Sequence, residues 1–155
     1  MPKIDVTAVP EVKGSRYPAP FEAQCKERVR KRLGDAGGLT QYGVNLLTLL
    51  PGVWSSQRHW HLNEDEFVYV LSGEVVLGTD AGEEILRAGD CAAFPKGDGN
   101  GHHLMNKSNA AAVLLEVGTR SEADCVRYPD IDLVIDSAVG AYARRDGTPY
   151  PSRKG

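Results

Sequence analysis

From residue 39 onward, apolar and polar positions come in short alternating runs. In residues 66–71 (EFVYVL), Glu66, Val68 and Val70 share one parity and Phe67, Tyr69 and Leu71 the other, the period of two that a β-strand imposes. Residues 41–50 are rich in Val, Leu and Thr and stop at Pro51-Gly52. Residues 74–77, 84–87, 91–94, 104–105, 112–117 and 130–136 read as further strands. Ser72-Gly73, Asp80-Ala81-Gly82, Ala88-Gly89-Asp90, Pro95 and Asn106-Lys107-Ser108-Asn109 punctuate them. Short strands about ten residues apart with Gly and Pro between them predict an all-β sandwich or barrel. Upstream, Phe21, Cys25, Val29 and Leu33 recur every four positions, which predicts a helix over residues 21–33, with a strand as the alternative. Lys26, Arg28, Arg30, Lys31 and Arg32 in that stretch read as a solvated basic face, or as a contact for a partner.

Composition sharpens this picture. Seventeen glycines and nine prolines against 7% aromatic residues imply many turns. A chain of 155 residues suits one domain. It divides into an arm and basic segment (1–38), a barrel (39–136) and a polar tail (137–155) that covers the barrel or frays. A net charge of −3 lacks the basic balance of nucleic-acid or membrane-surface binding, and no apolar run approaches the ~20 residues of a membrane span. No signal peptide is visible after Met1. Cys25, Cys91 and Cys125 are odd in number and widely spaced, which predicts a reducing, cytoplasmic home. Cys91, in an apolar run, reads as a buried structural thiol, the alternative being a thiolate near a metal.

The four histidines form two tight pairs, His59/His61 and His102/His103. Two residues apart on a strand, His59 and His61 point to one face. If Glu66 shares it, that face offers two nitrogens and one oxygen, and an imidazole from the second pair adds a third nitrogen. Such a set suits one divalent Fe, Mn, Co, Ni or Zn ion. Arg58 and Trp60, at opposite parity, face away. Gln41, Tyr42, Asn45 and Thr48 are candidate lumen residues, depending on the phase of their strand, and Glu64 and Asp65 read as solvated charges, with a place lining the mouth as the alternative.

The order Gly52, His59, His61, Glu66, Gly73 and then Gly89, Pro95, Gly97, His102, Asn106 resembles the two motifs of the cupin family. The segment between Gly97 and His102 is longer than the family's usual one, and the three-residue gap to Asn106 selects His102 over His103. The resemblance implies a double-stranded β-helix (jelly-roll) barrel, a metal held by His59, His61, Glu66 and His102, and a homodimer. It offers dioxygenase, isomerase or lyase chemistry on a small oxygenated molecule. A ligand-sensing barrel working through a separate partner is the alternative. Lumen chemistry separates them: an apolar pocket around one metal favours sensing or oxygenation, and convergent polar groups favour isomerisation.

Overall fold

A computed structural model describes residues 3–136 and 140–151. It is almost wholly β: β1 (Glu11–Lys13), β2 (Val29–Arg32), β3 (Tyr42–Leu49), β4 (Trp60–His61), β5 (Glu66–Ser72), β6 (Glu74–Thr79), β7 (Gly82–Arg87), β8 (Cys91–Phe94), β9 (His103–Met105), β10 (Ala112–Thr119), β11 (Cys125–Arg127), β12 (Val134–Asp136) and β13 (Ala141–Ala143). One short helix, α1 (Leu33–Ala36), follows β2. The strands form antiparallel sheets ordered β1-β2-β3-β10-β5-β8, β13-β12-β11-β4 and β7-β6-β9. This is the all-β architecture that the run lengths and turn residues predict, in the jelly-roll form that the family resemblance implies.

The predicted alternation holds along β5: Val68 and Val70 are buried, Phe67, Tyr69 and Leu71 exposed. Leu47 and Leu49 of β3, Val75 and Leu77 of β6, and Ala112 and Leu114 of β10 complete an apolar core inside the barrel with Leu86 and Leu104. Gly73 makes the β5–β6 turn at φ +78°, and a Cβ there would lie 2.6 Å from the Ala111 carbonyl; only glycine fits both demands. Asn106 is buried between segments, donating to the carbonyls of Leu49 and Ala110 at 2.8 Å each.

The helix predicted over residues 21–33 does not form. Residues 19–27 are turns, and the strand alternative prevails over Val29–Arg32. Pairing β2 to β3 in the register Arg30↔Leu47 and Arg32↔Asn45 satisfies backbone groups that a solvent-facing helix would satisfy by itself, and it lets the arginines reach partners inside the barrel. Tertiary context thereby overrides a weak local periodicity. Cys25 packs in a second core with Tyr17, Val126, Tyr128 and Leu133.

Cys91, expected to be buried, is exposed. It pairs with Tyr69 across β5 and β8, so it shares the outward face of Tyr69. Residues 130–133, expected to continue a strand, form turns ahead of β12. The tail adds β13 to β12, and Tyr150 donates its hydroxyl proton to the Asp132 carbonyl at 2.7 Å; tail residues 137–139 and 152–155 lie outside the described residues. No helix of the described residues is long and apolar enough to cross a membrane.

Candidate metal centre

Four distant positions meet around one carboxylate oxygen. His59 and His61 sit at the start and end of a short extended segment that includes β4, and an isolated bridge joins His59 to His102. Glu66 is the first residue of β5, opposite Gly118 of β10 and Phe94 of β8. Glu66 Oε2 lies 2.7 Å from His102 Nε2, 3.4 Å from His59 Nε2 and 3.4 Å from His61 Nε2. The ligand atoms of His59, His61 and Glu66 all fall within 4.8 Å of one another. The Phe94 ring stacks flat on the His102 imidazole at 3.6 Å between centroids and fixes its plane.

Partners behind the rings set their orientation. His61 Nδ1 donates to Asp124 Oδ2 at 2.6 Å, and Asp124, almost wholly buried, also accepts the Asn63 amide. His59 Nδ1 is 2.9 Å from the Gln57 carbonyl and 3.3 Å from Ser56 Oγ. A ring that donates from Nδ1 turns its Nε2 toward the centre as a lone pair or as an added N–H. Two such nitrogens facing a carboxylate oxygen at 3.4 Å demand positive charge between them, as protons or as a cation.

The electrostatics agree. Burial opposes charge on both Glu66 and His61. For Glu66, the charge of His59 and hydrogen bonds from His102, His59 and His61 outweigh it and hold the carboxyl well below its usual range. For His61, hydrogen bonds and attraction from Glu66 and Asp124 win and push the imidazole up to about 9. In the metal-free protein these neighbours favour a proton on His61. Imidazole and carboxylate are also the donor chemistry of a borderline divalent cation; His59, His61 and Glu66 lie close enough together to share one, and His102 joins them through Glu66 Oε2.

His103 takes no part in this cluster. It is buried against Trp54, with ring centroids 4.8 Å apart, and burial pushes it down to about 4. Its Nε2 would lie 2.6 Å from a Cβ at Gly78, so the glycine makes room for it. Arg58 faces away as expected, held by two 2.7 Å hydrogen bonds to Asp130 and by Asp80.

His59, Glu66 and His102 of the cluster line a cavity of about 440 Å³. Asn45 lines it, whereas Tyr42 and Thr48 have the opposite parity on β3 and Gln41 is exposed. For Glu64 the alternative reading prevails over the solvated one. Glu64 lines the cavity, accepts the Ser121 amide through Oε1 at 2.6 Å, and brings Oε2 to 3.6 Å from His61 Nδ1; burial raises its carboxyl. Asp65 is exposed, as expected.

The basic run departs from its reading as a solvated face. Arg28 and Arg30 turn into the cavity and Arg32 reaches its lining from the rim. Arg30 is fixed by Glu116 through bonds of 2.8 and 3.0 Å. The alternation of arginine at 28, 30 and 32 was the strand signal. Asp124 and Ser56 carried no comparable signal, because nothing in their local sequence ties them to the histidines.

Residues 45–118 match the family described as Cupin domain. A Silicibacter pomeroyi protein described as a sugar phosphate isomerase from a cupin superfamily is 47% identical, with a TM-score of 0.91 over 97% of this chain and 98% of that one. A putative sugar phosphate isomerase from Acidithiobacillus ferrooxidans is 34% identical, with a TM-score of 0.71 over 76% and 74% of the two chains. The polyketide cyclase RemF from Streptomyces resistomycificus, at 20% identity and a TM-score of 0.67 over 84% and 87%, shares the fold. No curated protein matches the chain.

Proposed function

The chain belongs to the cupin superfamily, and on that premise we propose that it is a metal-dependent isomerase of a small phosphorylated sugar. One observation carries the reading: the imidazole–carboxylate cluster shares a single cavity with a strip of arginines. Convergent polar groups of this kind favour isomerisation over sensing or oxygenation. The two similar proteins described as sugar phosphate isomerases supply the substrate class.

His59, His61, Glu66 and His102 would hold the ion. When bound, a divalent cation supplies Lewis-acid polarisation of the sugar's carbonyl and hydroxyl oxygens. Aldose–ketose isomerisation is an internal rearrangement. A proton leaves the carbon beside the carbonyl and returns to the former carbonyl carbon. The hydroxyl proton moves between the two oxygens, and no oxidant or reductant is consumed.

The carbon proton needs a carrier inside the cavity. Among its carboxylates, Glu116 is engaged by Arg30 and Asp35 by Arg120. Glu64 has one oxygen on the Ser121 amide and the other beside the histidine cluster, which leaves it as the group to carry the proton. Phe94 and Val68 wall the cavity with apolar surface and limit water around the reacting carbons.

We place the homodimer contact on the outward row Phe67, Tyr69 and Leu71 and the protein in the cytoplasm, in keeping with three free cysteines. The deciding experiment incubates metal-reconstituted protein with a panel of aldose and ketose phosphates in deuterium oxide, followed by proton NMR. Interconversion with deuterium entering the carbon beside the carbonyl is the expected result. Absence of both conversion and exchange across the panel refutes the isomerase reading.

A further inference from the structure

Arg28 is a half-buried guanidinium with no carboxylate partner among the described residues. Its Nε donates to the Gly14 carbonyl at 3.0 Å and one Nη to the Ser55 carbonyl. Of the five N–H donors of an arginine, these two bonds leave three without a hydrogen-bond partner among the described residues. Its charged neighbour on the same face of β2 is another cation. Arg30 also donates to the Ser55 carbonyl, at 3.4 Å, while its remaining bonds go to Glu116. Two guanidinium groups thus converge on one carbonyl with a single carboxylate between them.

Burying like charges side by side costs free energy that carbonyl dipoles recover only in part. The same crowding is visible in Arg28 itself, whose affinity for its proton is lowered by burial and then by the charge of Arg30. Arg16 and Arg32 add positive charge at the rim, and neither side chain makes a hydrogen bond or ion pair among the described residues. On this wall the guanidinium groups outnumber the carboxylates, Glu116 on Arg30 being the one they meet.

We propose that Arg28, seconded by Arg30, anchors a phosphate-monoester subsite at the β2 wall of the cavity. The assignment rests on the isomerase reading for its substrate and on the arginine geometry for its location. Planar N–H forks pair with phosphate oxygens in a bidentate manner and suit such a group better than a lysine would. The distance is suitable too. Ser55, the carbonyl both arginines hold, is separated from His59 by a segment that can span at most about 14 Å when fully extended. Within it, Ser56 touches His59 Nδ1 at 3.3 Å. A sugar of a few carbons with a terminal phosphate bridges that range, so the phosphate would fix which end of the sugar lies beside the histidines.

The first test needs no variant. Full-length protein is treated with phenylglyoxal in inorganic phosphate, acetate or chloride at matched ionic strength, and modified arginines are located by mass spectrometry. Arg28 should be protected by phosphate at millimolar concentration and left open by acetate and chloride. Equal protection by all three, or by acetate and phosphate alike, overturns the assignment.

The second test compares wild type with Arg28→Gln and Arg28→Lys. Phosphate should raise the Tm of wild type, do so less for Arg28→Lys, and have no effect on Arg28→Gln, with metal content the same in all three. For a sugar phosphate that turns over, KM should rise about ten- to a hundred-fold in Arg28→Gln, the loss expected for a charge-assisted hydrogen bond, with a smaller change in kcat. An Arg28→Gln protein that keeps the phosphate-induced rise in Tm overturns the subsite. Phosphate protection of Arg28 without turnover of any sugar phosphate would retain the subsite and refute the isomerase reading.

Discussion

The two ends of the barrel lumen are built from the same strands and do opposite things. At one end β3, β5 and β10 contribute Leu49, Val70 and Ala112, all fully buried. A few residues along, on the same faces, the strands contribute Asn45, Glu66 and Glu116 to the cavity. The strands run through both ends, with one register shift between β10 and β5 at Val113/Leu114, and side-chain choice along them divides a dry core from a polar site. The apolar end gains from removing surface from water. The polar end pays desolvation for every charge it holds, and it is tolerable because Glu66 meets three imidazoles, His61 meets Asp124 and Glu116 meets Arg30. The stable end therefore props up a costly one.

The sharpest way to break that comparison is Glu66→Gln. Removing the central negative charge should cut bound metal from near one ion per chain to less than about a tenth of that, as elemental analysis of chelator-free preparations would show. The core should be untouched. The converse change, Leu114→Ala, should cost about 2–5 kcal/mol of stability, read by chemical denaturation, while the fraction that remains folded keeps its metal. Loss of metal in folded Leu114→Ala protein would mean that the two ends are one unit.

Acidity sharpens the contrast further. Because His61 in the metal-free protein is pushed up to about 9, a cation must displace its proton at neutral pH. Apparent affinity should rise roughly tenfold per pH unit from about 6.5 and level off above about 9, measured by competition with a chelator of known pH dependence. The metal-free fold should respond with opposite sign. A raised imidazole contributes stability that is full below its unfolded value near 6.5 and lost as pH climbs through about 9. A pH-independent metal affinity would show that His61 carries no proton in the metal-free protein. The smallest effect concerns the thiols. Iodoacetamide should label Cys91 in native protein and reach Cys25 only on unfolding, since Cys25 is fully buried and burial pushes its thiol up to about 11.

Some of this was legible in residues alone. Strand period and turn residues gave the barrel, and two histidines at spacing two with a carboxylate in phase on the next strand gave the cluster around Glu66 Oε2. What stayed hidden depended on pairing partners. The exposure of Cys91 follows from its register with Tyr69, and register is set by turns whose conformation the sequence does not print. Glu64 is drawn in by the amide of Ser121, 57 residues away. At residues 28–32 two periodicities competed, apolar every fourth residue and arginine every second, and only the neighbouring β3 decided between them.

The arginine strand has a consequence for ancestry. Residues 45–118, the part that matches the family profile, contain His59, His61, Glu66 and His102 but none of Arg28, Arg30 and Arg32. The cation cluster and the basic strip thus reside on separate stretches of polypeptide. If the proposed function holds, changes in the leading segment would alter recognition while leaving the residues of the histidine–carboxylate cluster intact, and the residues preceding the barrel are where such variation should be read first.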